Sequence, residues 1–149
     1  MDLKIKIYAE MMKKISRGNY RGNFSNAKPI FIISILDYII FAKENKFLFG
    51  DKLLEEIYKT NNIFYPSNYS TQIIKPFFHL SSEPFYDLVW KYGTTPKSKS
   101  ITPSAKYLRE NLEYAKLDDD LWELLQDSEN RAYLKQTLVK TYLNETTPS

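Results

Sequence analysis

The chain has no cysteine, which removes disulfides, thiolate metal sites and cysteine nucleophiles from consideration. It has one histidine, His79, and so lacks the usual zinc ligand sets and the paired-histidine metal centres of HNH nucleases. Four glycines in 149 residues leave few places for a phosphate-cradling loop, and no Walker-type or dinucleotide-binding pattern occurs. Long apolar runs are missing as well. The most hydrophobic stretch, residues 29–42, is interrupted by Ser34 and Asp37 and falls short of the roughly 20 residues that span a bilayer. No signal-peptide pattern opens the chain. These absences lead to the expectation of a soluble, cytoplasmic protein with no membrane segment, no metal and no cofactor, and catalysis is the weaker class of function.

What is present is ample material for a core. Hydrophobic residues make up 43% of the chain and aromatics 15%, and 149 residues is about the length of one domain. The spacing predicts an α+β domain over 1–149, mostly helical, with about six helices and a short β-hairpin. Leu3, Ile7, Tyr8, Met11, Met12 and Ile15 recur at helical spacing over 2–16, behind Asp2 as N-cap. Gly18 and Gly22 end that helix in a polar loop over 18–26. Pro29 then opens a central helix over 29–44 that is apolar on most sides. Asp51 caps a third helix over 52–61. Phe77 to Leu80 and Phe85 to Trp90, separated by Ser81-Ser82-Glu83-Pro84, are read as the two strands of the hairpin. Residues 92–100 form an exposed polar loop. Thr102-Pro103 starts a helix, Asp118 caps another over 121–126, and Asp127 or Ser128 caps the last, which runs to about residue 143. Trp122, Leu125, Tyr133, Leu134, Leu138, Val139 and Tyr142 mark this last third as scaffold. Residues 144–149 are expected to fray or to lead into a linker.

Charge is small in total and uneven in distribution. The net charge of +3 identifies no partner. Yet residues 1–28 carry Lys4, Lys6, Lys13, Lys14, Arg17, Arg21 and Lys28 against Asp2 and Glu10, and residues 91–106 carry Lys91, Lys97, Lys99 and Lys106 with no acid. Residues 107–129 hold eight acids against Arg109 and Lys116. A polarised molecule is expected, with one face suited to polyanions. The acidic run Asp118-Asp119-Asp120 sits at a helix start, where a cap and the helix dipole explain it without a carboxylate metal centre.

Two proline segments give the sharpest pointer to function. Ala27-Lys28-Pro29 leads into Ile30-Phe31-Ile32-Ile33, and Lys75-Pro76-Phe77-Phe78-His79-Leu80 precedes Phe85-Tyr86-Asp87-Leu88-Val89-Trp90. With Asn45-Lys46 and Tyr107-Leu108-Arg109-Glu110, in this order and spacing, they resemble the sulfur-binding domain of modification-dependent (type IV, McrA-like HNH) restriction endonucleases. That family recognises phosphorothioate DNA, in which sulfur replaces one non-bridging phosphate oxygen. The resemblance implies a sulfur pocket built from Ala27, Lys28, Pro29, Lys75, Pro76 and Phe77, with Pro76 as the pocket proline and Lys28 as its basic border. Ala27 stands where the family often has histidine, and Lys75 where it often has tyrosine. His79 falls in the same segment and is read as a hydrogen-bonding residue.

The implied partner is double-stranded DNA carrying a phosphorothioate linkage, with phosphate contacts from Arg17, Asn19, Arg21, Lys28, Lys97 and Lys99. Asn19, Tyr20 and Asn23 lie in a loop within reach of base edges. Nuclease activity is expected only from an attached HNH domain or a separate subunit in a restriction system. Two alternatives stand beside this reading: a protein-interaction adaptor using the aromatic hairpin and acidic helices, and a general duplex binder without sulfur preference. Clustering of the named basic residues around Pro76 favours DNA.

Overall fold

The computed structural model describes residues 2–20, 22–65, 71–94 and 98–143. Helix α1 spans Leu3–Met12, and the Asp2 carboxylate accepts the Lys4 N–H as its N-cap. Ile5, Tyr8, Ala9 and Met12 form its buried face, while Leu3 and Ile7 are exposed. The helix stops earlier than its apolar spacing predicts. Ile15 is still buried, but its N–H bonds the Tyr142 hydroxyl and no longer a helical carbonyl.

The glycine-containing loop holds a small antiparallel ladder, β1 (Asn19–Tyr20) with β2 (Asn23–Phe24). Gly22 turns it with φ +84°, and the Asn19 side chain accepts the Gly22 N–H. Helix α2, Ala27–Tyr38, begins two residues ahead of Pro29 and passes into a 3-10 turn at Ile39–Phe41. Pro29 therefore lies in the first turn, where its missing N–H leaves no helical bond unmade. Ala27 and residues 29–36 are all buried, as the apolar sequence of this segment requires. Helix α3, Lys52–Phe64, starts at Asp51, whose carboxylate accepts the N–H groups of Leu53 and Leu54.

The expected hairpin of residues 77–80 with 85–90 does not form. Residues Ile74–His79 are helix α4, continued by a 3-10 turn at Leu80–Ser82. Proline before aromatic residues suits a first helical turn as well as an edge strand, and Pro76 occupies that turn while Phe77, Phe78 and Leu80 are buried behind it. The second expected strand exists as β3, Tyr86–Trp90, but its partner is β4, Leu112–Leu117. The register runs antiparallel from Tyr86↔Leu117 to Val89↔Tyr114 and shifts at Trp90, which faces Leu112. Phe47 exchanges both backbone bonds with Ala115 on the far side of β4.

Strand β4 lies between the helix starts expected at Thr102-Pro103 and Asp118, where no strand is expected. Helix α5 is only Ala105–Asn111, capped by Ser104 and starting beyond the expected Thr102-Pro103. Two further helices start where expected: α6, Asp119–Leu124, follows Asp118, whose carboxylate makes no capping bond because it accepts from the Tyr8 hydroxyl, and α7, Ser128–Leu138, has its first turn held by the Asp127 carboxylate. The described residues contain seven α-helices and two two-stranded sheets, an α+β fold. Their buried side chains form one core. Phe31 of α2 lies at its centre, edge-on to Phe77, Tyr86 and Tyr58 at ring separations of 5.8, 6.1 and 6.2 Å. No helix among the described residues is long and apolar enough to cross a membrane. The expected tail over 144–149 lies outside the described residues.

Candidate nucleic-acid interface

The start of α2 and the outer face of α4 meet across an open cleft of about 370 Å³. Ala27 and Lys28 line it from one side, and Lys75, Pro76 and His79 from the other. Ser16, Arg17 and Gly18 close a third side with Ser25, and Thr71 and Ser82 complete the wall. Ser25 ties this wall together. Ser25 N–H donates to the Gly18 carbonyl at 2.7 Å, and the Ser25 hydroxyl accepts the Ala27 N–H at 3.2 Å.

Arg17 is held by its head group. Its guanidinium donates to the Asn26 side chain at 2.9 Å and packs between two rings, 4.9 Å from the Phe24 centroid and 4.6 Å from that of Tyr142. Asn26 precedes α2 without capping it, because its side-chain oxygen serves Arg17. Lys75 is exposed and makes no ion pair among the described residues.

Lys28 is held differently. Its ammonium donates to the Ser82 hydroxyl at 3.2 Å and lies 3.8 Å from the Glu83 carboxylate, with only 14% of the side chain exposed. Burial pulls the Lys28 pKa down from its ordinary value, and the Glu83 charge works against that shift. Glu83 is itself 9% exposed and also accepts the Ser16 N–H at 3.2 Å and the Ser82 hydroxyl at 3.3 Å. The polar end of the cleft is therefore a cation with a carboxylate behind it. The opposite end is carbon: the Pro76 ring and the Ala27 methyl.

His79 connects the cleft to the loop ahead of α5. Its Nε2 lies 2.7 Å from the Thr102 hydroxyl, and it shares a backbone hydrogen bond with Lys99. Burial lowers its pKa first, and the nearby charges of Lys28 and Lys75 lower it further.

Of the residues that the sequence singled out, Arg17, Ala27, Lys28, Lys75, Pro76 and His79 all line this one cleft. Lys99 adjoins it through His79. Phe77 and Pro29 are buried and do not line it; the Phe77 ring points into the core, 5.4 Å from Phe49. Asn19 braces the turn at Gly22. Arg21 and Lys97 lie outside the described residues. Sequence reasoning missed Glu83, although it is the one carboxylate in residues 57–86, and Thr71, for which the sequence offers no signal. The Asp118-Asp119-Asp120 run is dispersed over separate partners: Asp118 accepts from the Tyr8 hydroxyl, Asp119 pairs with Lys116, and Asp120 pairs with Lys4.

No protein-family model and no curated protein matches this sequence. The fold does match a solved structure, described as the sulfur-binding domain of SprMcrA complexed with phosphorothioated DNA. The TM-score is 0.69 over 93% of this chain and 85% of that one, with 12% sequence identity. At that identity the likeness is one of fold, and the chain shares the architecture of that domain.

Proposed function

We propose that this chain is a DNA-binding module that recognises a phosphorothioate linkage in the cleft between α2 and α4. The observation that carries the reading is the meeting of the two proline segments. Ala27 and Lys28 face Lys75 and Pro76 across one cleft, although they lie far apart in sequence, and they do so in a fold shared with a domain solved on phosphorothioated DNA. The chemistry of the cleft supports it. Sulfur is larger and more polarizable than oxygen and a poorer hydrogen-bond acceptor, so it loses little when it is dehydrated against the Pro76 ring and Ala27. A phosphate oxygen in the same place loses water and gains no donor, at a cost of about 1–3 kcal/mol. That difference corresponds to a preference of roughly tenfold to hundredfold for the modified backbone. Lys28 and Arg17 offset the charge that remains on the phosphodiester.

The module acts as the recognition part of a modification-dependent restriction system, and strand cleavage is performed by an attached domain or a partner. The test is a fluorescence anisotropy titration with two duplexes that differ only by one Rp phosphorothioate. A preference of tenfold or more for the sulfur duplex is expected, and it falls in Pro76→Ser with little change for the plain duplex. Equal affinity for both duplexes makes the chain a general DNA binder; absence of binding to either moves the reading to a protein-interaction adaptor.

A further inference from the structure

The cleft places a buried carboxylate directly behind its most enclosed cation, where a site built only to attract phosphate has no use for one. Glu83 does not line the cleft, but the three groups it touches do: the Ser16 backbone, the Ser82 hydroxyl and the Lys28 ammonium. Ser82 stands between the two charges, accepting from Lys28 at 3.2 Å and donating to Glu83 at 3.3 Å. The Lys28–Glu83 separation of 3.8 Å is long for a direct hydrogen bond, so the lysine is partly neutralised without being capped. At least one of its three N–H groups remains for a ligand.

From this arrangement we infer that Glu83 is a positioning and specificity-determining residue that suppresses binding of ordinary DNA. It holds Lys28 in place at the polar end of the cleft and opposes every anion that approaches it. An incoming phosphate must share Lys28 with a carboxylate that cannot move away, because Ser16 and Ser82 anchor it. Its negative charge is felt strongly at that range, since the pair is mostly shielded from water. Ordinary phosphates vastly outnumber modified ones in any DNA, so lowering the charge-driven affinity for all of them leaves occupancy to be decided by the apolar wall at Pro76 and Ala27. The inference rests on the DNA-binding reading of the same cleft.

The test is anisotropy titration of the wild-type chain and Glu83→Gln with both duplexes over a series of salt concentrations. The Ser16 N–H and the Ser82 hydroxyl both bond the same Glu83 oxygen, so glutamine can keep that acceptor while its amide removes the charge. Binding of the plain duplex is expected to tighten roughly tenfold, and the slope of log affinity against log salt to steepen by up to about one. Unchanged or weaker binding of the plain duplex by a folded E83Q overturns the inference.

A second comparison carries the test if E83Q does not fold. Lys28→Met alone should weaken the plain duplex, and the double variant Lys28→Met, Glu83→Gln, which leaves no unpaired charge, should recover most of that loss. A double variant no better than K28M also overturns the inference. Failure of the underlying reading looks different: a wild-type chain that binds no duplex, whatever the salt, refutes DNA binding itself. A wild-type chain that binds both duplexes equally, with E83Q still tightening the plain duplex, refutes only the phosphorothioate part.

Discussion

His79 shows how one side chain joins packing to the cleft. Its ring contacts Thr102 and a backbone group of Lys99 on one side and faces the lysines 28 and 75 on the other, so protonation adds a third positive charge to a partly buried cluster. Its folded pKa lies below the ordinary 6.5, so on acidification the unfolded chain takes up this proton before the folded one. The His79 contribution is therefore fully present above about pH 6.5 and is lost as the pH falls from there through the depressed folded value. The urea midpoint should drop over that window in the wild type, and His79→Gln should flatten that part of the profile. A profile identical in the two proteins removes His79 from the account. The role was only partly legible beforehand. A lone histidine in a proline–aromatic segment can be recognised as a hydrogen-bonding residue, but its partner Thr102 lies 23 residues away and is found only in the fold.

Among elements, the β3–β4 pair shows how local preference yields to tertiary packing. The helical start at residues 105–111 runs straight into Leu112, and nothing in propensity stops it there. Conversion to strand is favoured because β3 offers a row of backbone groups and Ala115 and Leu117 bury their side chains beneath it. Asn45 then extends the sheet with a side chain acting as a peptide. Its amide donates to the Leu117 carbonyl at 2.6 Å, and its oxygen accepts the Leu117 N–H at 2.9 Å. Asn45→Ala leaves two backbone groups of a sheet edge without partners, and it should lower unfolding free energy by about 1–3 kcal/mol in urea denaturation. An Asn45→Asp variant sets a carboxylate against the Leu117 carbonyl and the Asp119 carboxylate and should destabilise at least as much as Asn45→Ala. Helix α4 is the converse case, in which aromatic residues with strand preference fold as helix because burying Phe77 against Phe31 and Phe49 outweighs that preference.

At the scale of the whole molecule, the uneven charge of the sequence is sorted into two environments. Of the basic residues in 1–28, Arg17 and Lys28 line the cleft, whereas Lys4 reaches across to Asp120 and Lys13 pairs with Glu10 on its own helix. The acidic run over 107–129 thus meets cations from α1 and from β4, and the lysines spent there do not face the cleft. Surface pairs of this kind contribute little to stability, so their effect is chiefly on where free positive charge remains. Among the described residues that line the cleft, Lys75 is the exposed cation. Lys75→Met should therefore weaken both duplexes alike and reduce the salt slope by up to about one, while Lys4→Met, equally a loss of one charge, should leave it nearly unchanged. Equal effects of the two substitutions in anisotropy titrations would mean that net charge, and not the cleft, governs binding.

The caps at Asp2 and Asp51, the start of the last helix at Asp127 or Ser128, the burial of the central helix and the helices after Asp118 follow from the sequence alone, because each depends on residues within a turn or two of one another. The sequence also marked the two proline segments, since their order and spacing are properties of the chain. Tertiary structure decided the rest: that residues 74–79 are helix, that β3 pairs with β4, and that Glu83 lies behind Lys28. These depend on contacts between segments distant along the chain, where the gain from burial and pairing exceeds the small differences in local preference that a sequence displays.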